Sequence, residues 1–265
     1  MHTPAIRARP EVSIIVATFQ RCAHLRCCIE WVQRTTAASY EMIIVDGGSN
    51  DGTSEFAAAQ PHARLIRETQ RAGCCRAYDI GLRAAHGEFV MWLNDDSYPL
   101  EGAIDTALRF MRHPNARNVG MAAFYHTHRD PWNELHGYDD EGMRFGVLHV
   151  RGTPYANFGL LPRTLLEQVD FLDTGYRFCA WDPDLSLKIQ RQTGRKVVGL
   201  PDARVWHEEH IDERKEMDAR CQRRLDNERM FAKWNLPAKG AFAPPQSAYR
   251  MLASACGIKL NHERW

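Results

Sequence analysis

"EFVMWLNDDSYPL", residues 88–100, is the stretch whose reading decides the fold. From Phe89 to Leu93 every side chain is apolar, without the polar alternation of a strand that faces water on one side. A strand apolar on both faces is covered on both faces, which points to a parallel sheet built from βαβ units. The run then stops in Asn94, Asp95 and Asp96, and in open α/β sheets ligands gather outside the carboxyl ends of the strands. Asn, Asp, Ser and Pro also form turns. Alone, the stretch is either a solvated turn or a divalent-metal clamp for a phosphorylated ligand.

Working outward, the same pattern recurs upstream. Short apolar runs at "VSIIVATF" (12–19), "EMIIVDGG" (41–48) and "ARLIRE" (63–68) alternate with helical stretches over 22–35, 53–60 and 73–85. Thr18, Asp46 and Asp95 mark the ends of three of these strands and are expected to converge on one site. Downstream, a helix is expected over 101–112 and a strand over 118–125. The His-, Asp- and Gly-rich "HTHRDPWNELHGYDDEGMRFG" that follows reads as a long loop or hairpin. "PRTLLEQV" (162–169) and "DPDLSLKIQRQTG" (182–194) read as helices, with Pro162 near the start of the first and Gly194 ending the second. "RKVVGLP" (195–201) and "ARVWHEEH" (203–210) suggest strand and loop, and a charged helix follows over 212–234. The expected organisation is a tail over 1–10, one α/β domain over 11–235 and an extension over 236–265. Within the domain a nucleotide-binding half (11–96) is followed by an acceptor half (97–210).

A chain of 265 residues, 44% hydrophobic and 25% charged, can bury a sizeable core. Its formal net charge of +1 lacks the basic footprint of a general nucleic-acid binder, so any bound anion must be held locally. The eight cysteines include two adjacent pairs, Cys27–Cys28 and Cys74–Cys75, and no CxxC ladder. That spacing suits neither a zinc ribbon nor a disulfide scaffold, and reduced thiols in a cytoplasmic protein are expected. The apolar stretch 12–19 is too short for a membrane span and lacks a cleavage site. Contact with the inner face of a membrane, or a homodimer, stays open.

"SIIVATFQR", "IIVDGGSNDGT", "AGCCRAYDIGLRAAHGEFVMWLNDD", "AWDPDL" and "VWHEEH" occur in the order found in family-2 glycosyltransferases of the GT-A type, and the resemblance covers residues 11–210. It implies a GT-A, Rossmann-like α/β fold with a central, mainly parallel sheet flanked by helices. The implied activity is inverting transfer of a sugar from a UDP-, dTDP- or GDP-linked donor to a hydroxyl acceptor, a saccharide or glycolipid, in surface polysaccharide or glycoconjugate synthesis. The implied cofactor is Mn²⁺ or Mg²⁺.

By that resemblance the loop at Ala17, Thr18 and Phe19 wraps the nucleoside, and Asp46 hydrogen-bonds it. Gly47 stands where many relatives carry a second Asp. Arg21 is a candidate phosphate contact, since a guanidinium suits bidentate oxyanion binding. Gly73 allows close approach, and Arg76 is a candidate diphosphate or base contact. In the D-x-D position Asn94 supplies a neutral contact, Asp95 reaches ribose or the metal through water, and Asp96 ligates the metal. A hard divalent cation prefers such oxygens. His207 is the further metal ligand.

Asp182 is the expected base that deprotonates the acceptor. Trp181 stands where relatives usually carry Glu, and Asp184 positions the acceptor or caps a helix. Phe158 and Gly159, in "TPYANFGL", are acceptor-wall candidates that read equally as core. The rival readings are a non-catalytic sugar-nucleotide binder and a nucleotidyltransferase. The latter typically begins with a glycine-rich basic loop, which "ATFQRCAH" lacks.

Overall fold

The computed structural model describes residues 9–128, 133–210, 213–237 and 246–260, the side chains of 213–221 and 246 excepted. Most of the expected 1–10 tail, the 129–132 part of the His- and Asp-rich stretch, and much of 236–265 lie outside the described residues.

Strands β1 (Val12–Thr18), β2 (Tyr40–Asp46), β3 (Ala63–Arg67) and β4 (Phe89–Asn94) form a parallel ladder in the order β3-β2-β1-β4. Their apolar runs supply both faces. Val12, Ile14 and Val16 of β1 enter one core and Ile15 the other, while Phe89, Met91 and Leu93 of β4 separate from Val90 and Trp92 in the same way. This is the two-residue period of a pleated strand expressed entirely in apolar residues.

Helix α1 (Cys22–Thr35) buries Leu25, Cys28, Ile29, Val32 and Thr35, a stripe at helical spacing, against the first of these cores. Between α1 and the third helix come β2, the short α2 (Thr53–Ala58) and β3. Helix α3 (Cys74–Arg83) covers the opposite face and lies so close to β1 that a Cβ on Gly81 would meet Ile15 Cγ2 at 2.5 Å. The carboxyl ends of β1 and β4 thus open on one side of the sheet, between α1 and α3.

Beyond β4 the sheet becomes mixed. The short β5 (Ser97–Pro99) and α4 (Ala103–Met111) lead to β6 (Val119–Thr127), the hairpin β7 (Glu134–Asp140) and β8 (Met143–Val150), β9 (Thr153–Tyr155) and β10 (Gly159–Pro162). Strand β10 inserts antiparallel between β4 and β6. After α5 (Arg163–Gln168) and α6 (Trp181–Thr193), β11 (Lys196–His207) runs parallel to β6 and then antiparallel to β5. The strand-and-loop expected over 195–210 is one strand with an irregularity between Leu200 and Arg204, which absorbs Pro201 without ending the pairing. Its last pairs, Val205 with Pro99 and His207 with Ser97, carry His207 to the acidic end of β4.

Helices α7 (Glu213–Lys233) and α8 (Gln246–Ala255) follow, and among the described residues no helix is long and apolar enough to cross a membrane. The seven cysteines whose side chains are described are free thiols.

Candidate active site

One cleft of about 830 Å³ lies at the carboxyl ends of β1 and β4. Its lining includes Ala17, Thr18, Phe19, Arg21, Gly73, Asn94, Asp95, Asp96, Trp181 and Asp182. These expected residues come from four separated segments, and the fold brings them to one cavity.

The acidic pair is buried. Asp95 accepts from Thr18 Oγ1 at 2.9 Å and from Arg21 Nη1 at 2.9 Å. Asp96, 1% exposed, accepts from the same Arg21 nitrogen at 3.0 Å and from the His210 backbone N–H at 3.0 Å. Burial raises the Asp95 pKa despite the nearby guanidinium. Two carboxylates concentrated in a low-dielectric pocket demand a cation, and Arg21 supplies it. Arg21, expected as a phosphate contact, lines the cleft and bridges both acids through Nη1, with its side chain 7% exposed.

Asn94 lines this end, and His207, outside the lining itself, sits behind it against Asn94 and Asp96. The Tyr78 hydroxyl donates to Asn94 Oδ1 at 2.8 Å, which turns Asn94 Nδ2 toward His207 Nε2 at 3.1 Å. Nε2 accepts that amide hydrogen in the tautomer that leaves it unprotonated. The same Nε2 faces Asp96 Oδ1 at 3.4 Å, so two acceptors converge. A hard or borderline divalent cation suits this donor set of carboxylates and a neutral imidazole, and Asp96 and His207 fit as its protein ligands. Phe158 does not line the cleft. It is fully buried and packs edge-on against His207, with ring centroids 5.3 Å apart. Gly159 lies in the core beside Met121 and Trp92. Because β10 runs through the middle of the sheet, both acceptor-wall candidates support the site from behind.

Asp182 enters from the start of α6. Ala180 takes φ +64°, a left-handed conformation costly for a residue with a Cβ, and the helix begins immediately after it. Trp181 stacks on Tyr78 with centroids 4.7 Å apart and meets Trp92 edge-on at 5.4 Å, which fixes the helix start against the cleft floor. Burial pushes the Asp182 pKa up to about 7.

Asp46, Arg76 and Asp184 lie outside the cleft lining. Asp46 is fully buried, and its carboxylate accepts from the Ser49 backbone N–H and the Ser49 and Ser54 hydroxyls. It shapes the loop after β2. Arg76 is on the exposed face of α3, whereas Arg71, just before that helix, lines the cleft. Asp184 accepts from Tyr176 Oη, Lys233 Nζ and Trp234 Nε1, so it anchors α7.

The wall missed by sequence reading is α7 itself, which contributes Arg223, Asn227, Met230 and Phe231. It is held by Asp226, 1% exposed, which accepts from the backbone N–H groups of Arg177, Phe178 and Cys179. Asp226→Ala strands those donors. Loss of stability on the order of 3 kcal/mol is expected in urea denaturation.

The same 177–179 segment presses on Gly73. Gly73 has φ +109°, and a Cβ there would lie 2.5 Å from the Arg177 carbonyl oxygen. Gly73→Ala is expected to cost about 1–3 kcal/mol from backbone strain, with further loss from the clash, measurable in the same experiment.

A glycosyltransferase from Streptococcus pneumoniae, GlyG, is 25% identical over 118 residues, covering 43% of this chain and 39% of that protein. A PGL/p-HBAD biosynthesis glycosyltransferase from Mycobacterium bovis is 35% identical over 94 residues, covering 34% of this chain and 36% of that one. Both matches therefore span well under half of the relatives' lengths. A solved mannosyltransferase from Pyrobaculum calidifontis, in complex with GDP-Man and Mn²⁺, superposes with a TM-score of 0.63 at 21% identity over 96% of this chain and 77% of that one. It shares the GT-A fold. The family model described as Glycosyl transferase family 2 matches residues 13–168, more than half of the chain, and the protein belongs to that family.

Proposed function

We propose that the chain is a metal-dependent inverting glycosyltransferase that moves one sugar from a nucleotide-diphosphate sugar to a hydroxyl acceptor. The observation that carries this reading is the shared cleft: the Asp95–Asp96 pair and Asp182 line one cavity of about 830 Å³. A drug-sized ligand fits such a volume. The catalytic unit in this reading is the α/β domain over 11–235, because α7 walls the cleft.

Ala17, Thr18 and Phe19 would hold the nucleoside, with Gly73 permitting close approach and Arg71 in reach of the diphosphate side of the cleft. Asp95 would orient the ribose. Asp96 and His207 would hold a divalent cation, whose chemistry when bound is to stabilise negative charge on the leaving diphosphate. Asp182 accepts the acceptor's proton as its oxygen forms a bond to the anomeric carbon. The anomeric carbon–oxygen bond to phosphate breaks, the electron pair leaves with the diphosphate, and configuration inverts. Trp181, beneath Asp182, supplies an apolar surface at the acceptor end. The Pyrobaculum protein's complex with GDP-Man and Mn²⁺ supports a nucleotide sugar and a divalent metal as the ligand classes to test.

The test is a calorimetric screen of UDP, dTDP and GDP with Mn²⁺, followed by donor-consumption assays on the matching sugar nucleotides with Mn²⁺ or EDTA. Binding of one nucleotide and metal-dependent turnover with inverted product are expected. Binding without turnover across a broad acceptor panel would instead favour a sugar-nucleotide binder.

A further inference from the structure

Three side chains outside the cleft converge from two segments. His24 is in the first turn of α1, and Glu208 and His210 follow β11. Their ligand atoms all lie within 4.8 Å of one another, and the His24 and His210 ring centroids are 4.6 Å apart. None of the three lines the cleft.

We propose that His24, Glu208 and His210 form a second divalent-metal site that takes a borderline ion such as Zn²⁺. Two imidazoles and one carboxylate are a donor set that Zn²⁺ accepts with a position left open. It differs in kind from the carboxylate-rich Asp95–Asp96 pair. The inference does not depend on the glycosyl-transfer reading.

The site is substantially built before any ion arrives. The Tyr98 hydroxyl donates to Glu208 Oε2 at 2.9 Å. Tyr98 is itself 4% exposed and packs against Trp31 and Trp206, at centroid distances of 6.1 and 5.2 Å. A carboxylate oriented by such a partner loses little freedom on ligation.

The backbone carrying the other ligand is fixed as well. Glu208 N–H donates to the Asp96 carbonyl at 3.0 Å, and His210 N–H donates to Asp96 Oδ2 at 3.0 Å. Arg21 Nη2 donates to the His210 carbonyl at 3.0 Å, but its charge is already balanced by Asp95 and Asp96. An ion bound here ties the start of α1 to the segment after β11, so occupancy stiffens the strand end that carries His207.

The test uses the full chain, stripped with EDTA and kept in excess Mg²⁺, which prefers oxygen ligands and competes for the cleft site at Asp96 and His207. Zn²⁺ is then titrated by calorimetry. The tightest Zn²⁺ class is expected in the wild type and in the surface control His113→Gln, and is lost in His24→Gln and in Glu208→Gln. In Tyr98→Phe it is weakened by about 10–100-fold.

A measurement free of variants protects the conclusion against misfolding. On the wild-type chain, saturating Zn²⁺ is expected to shield His24 and His210 from a histidine-modifying reagent, read by peptide mass spectrometry. Equal Zn²⁺ affinity in the wild type and His24→Gln, no Zn²⁺ binding by the wild type, or unshielded His24 and His210 overturns the proposal.

Discussion

Asp182→Asn is expected to lower kcat by about 10²–10⁴-fold while leaving the affinity for the nucleotide donor unchanged, because it removes proton transfer and not a donor contact. The pH profile makes the assignment specific. Burial holds the Asp182 pKa at about 7, so the base is ionised only above that pH, and kcat/KM should fall as pH drops through it. In the Asn variant the acid limb should vanish from the residual rate.

Stability moves with the opposite sign. Burial raises the folded-state pKa from the ordinary aspartate range to about 7, so the native chain holds this proton more tightly than the unfolded chain across that window. The stability that the proton contributes is fully present below the lower value and is lost as pH rises through the upper one. Asp182→Asn should therefore lose activity yet unfold at a higher urea concentration than the wild type at pH 8, with a smaller difference at pH 5. An acid limb that persists in the variant would assign the base elsewhere.

Why Asp182 could be named from the sequence while the wall beside it could not has a physical reason. The two-sided apolar runs of β1, β2 and β4 announce buried parallel strands, and the polar residues at the ends of β1 and β4 mark the cleft. Chemistry carried by short segments in order, "LNDD" and "WDPDL", survives as pattern. Helix α7 does not. Its lining residues, Arg223, Asn227, Met230 and Phe231, recur at helical spacing but mix charge, amide and apolar side chains, so no hydrophobic period betrays the inward face.

Its anchors are equally illegible, because Asp226 bonds a loop 47–49 residues away and Asp184 reaches Trp234 at a separation of 50. Asp46 shows a different limit: among the described residues it lies outside the cleft lining. An acid at a strand end looks functional, but Ser49 and Ser54 in the following loop turn it inward. Phe158 and Gly159 read equally as wall or core until the antiparallel insertion of β10 placed them within the sheet.

The second large effect expected is on the cation demand of the acidic pair. Arg21→Gln leaves Asp95 and Asp96 buried without the guanidinium that bridges them at 2.9 and 3.0 Å. Removing one partner of a buried ion pair typically costs about 3–5 kcal/mol, so a large drop in Tm is expected without divalent metal. The loss should be greater at pH 8 than at pH 5, since protonation of a carboxylate relieves the repulsion.

Mn²⁺ should restore much of it, because an ion that binds only the folded chain stabilises by about 2.7 kcal/mol at one hundred times its Kd. In the wild type the same ion competes with a cation already in place, so its Tm shift should be smaller. Combining Arg21→Gln with Asp96→Asn isolates the coupling: the double variant should lose less stability than the sum of the singles, and the enlarged Mn²⁺ response should disappear. Equal Mn²⁺ shifts in wild type and Arg21→Gln would mean that the guanidinium and the metal do not share these carboxylates. The Asp95–Asp96 pair would then be a structural ion-pair network at the mouth of β4.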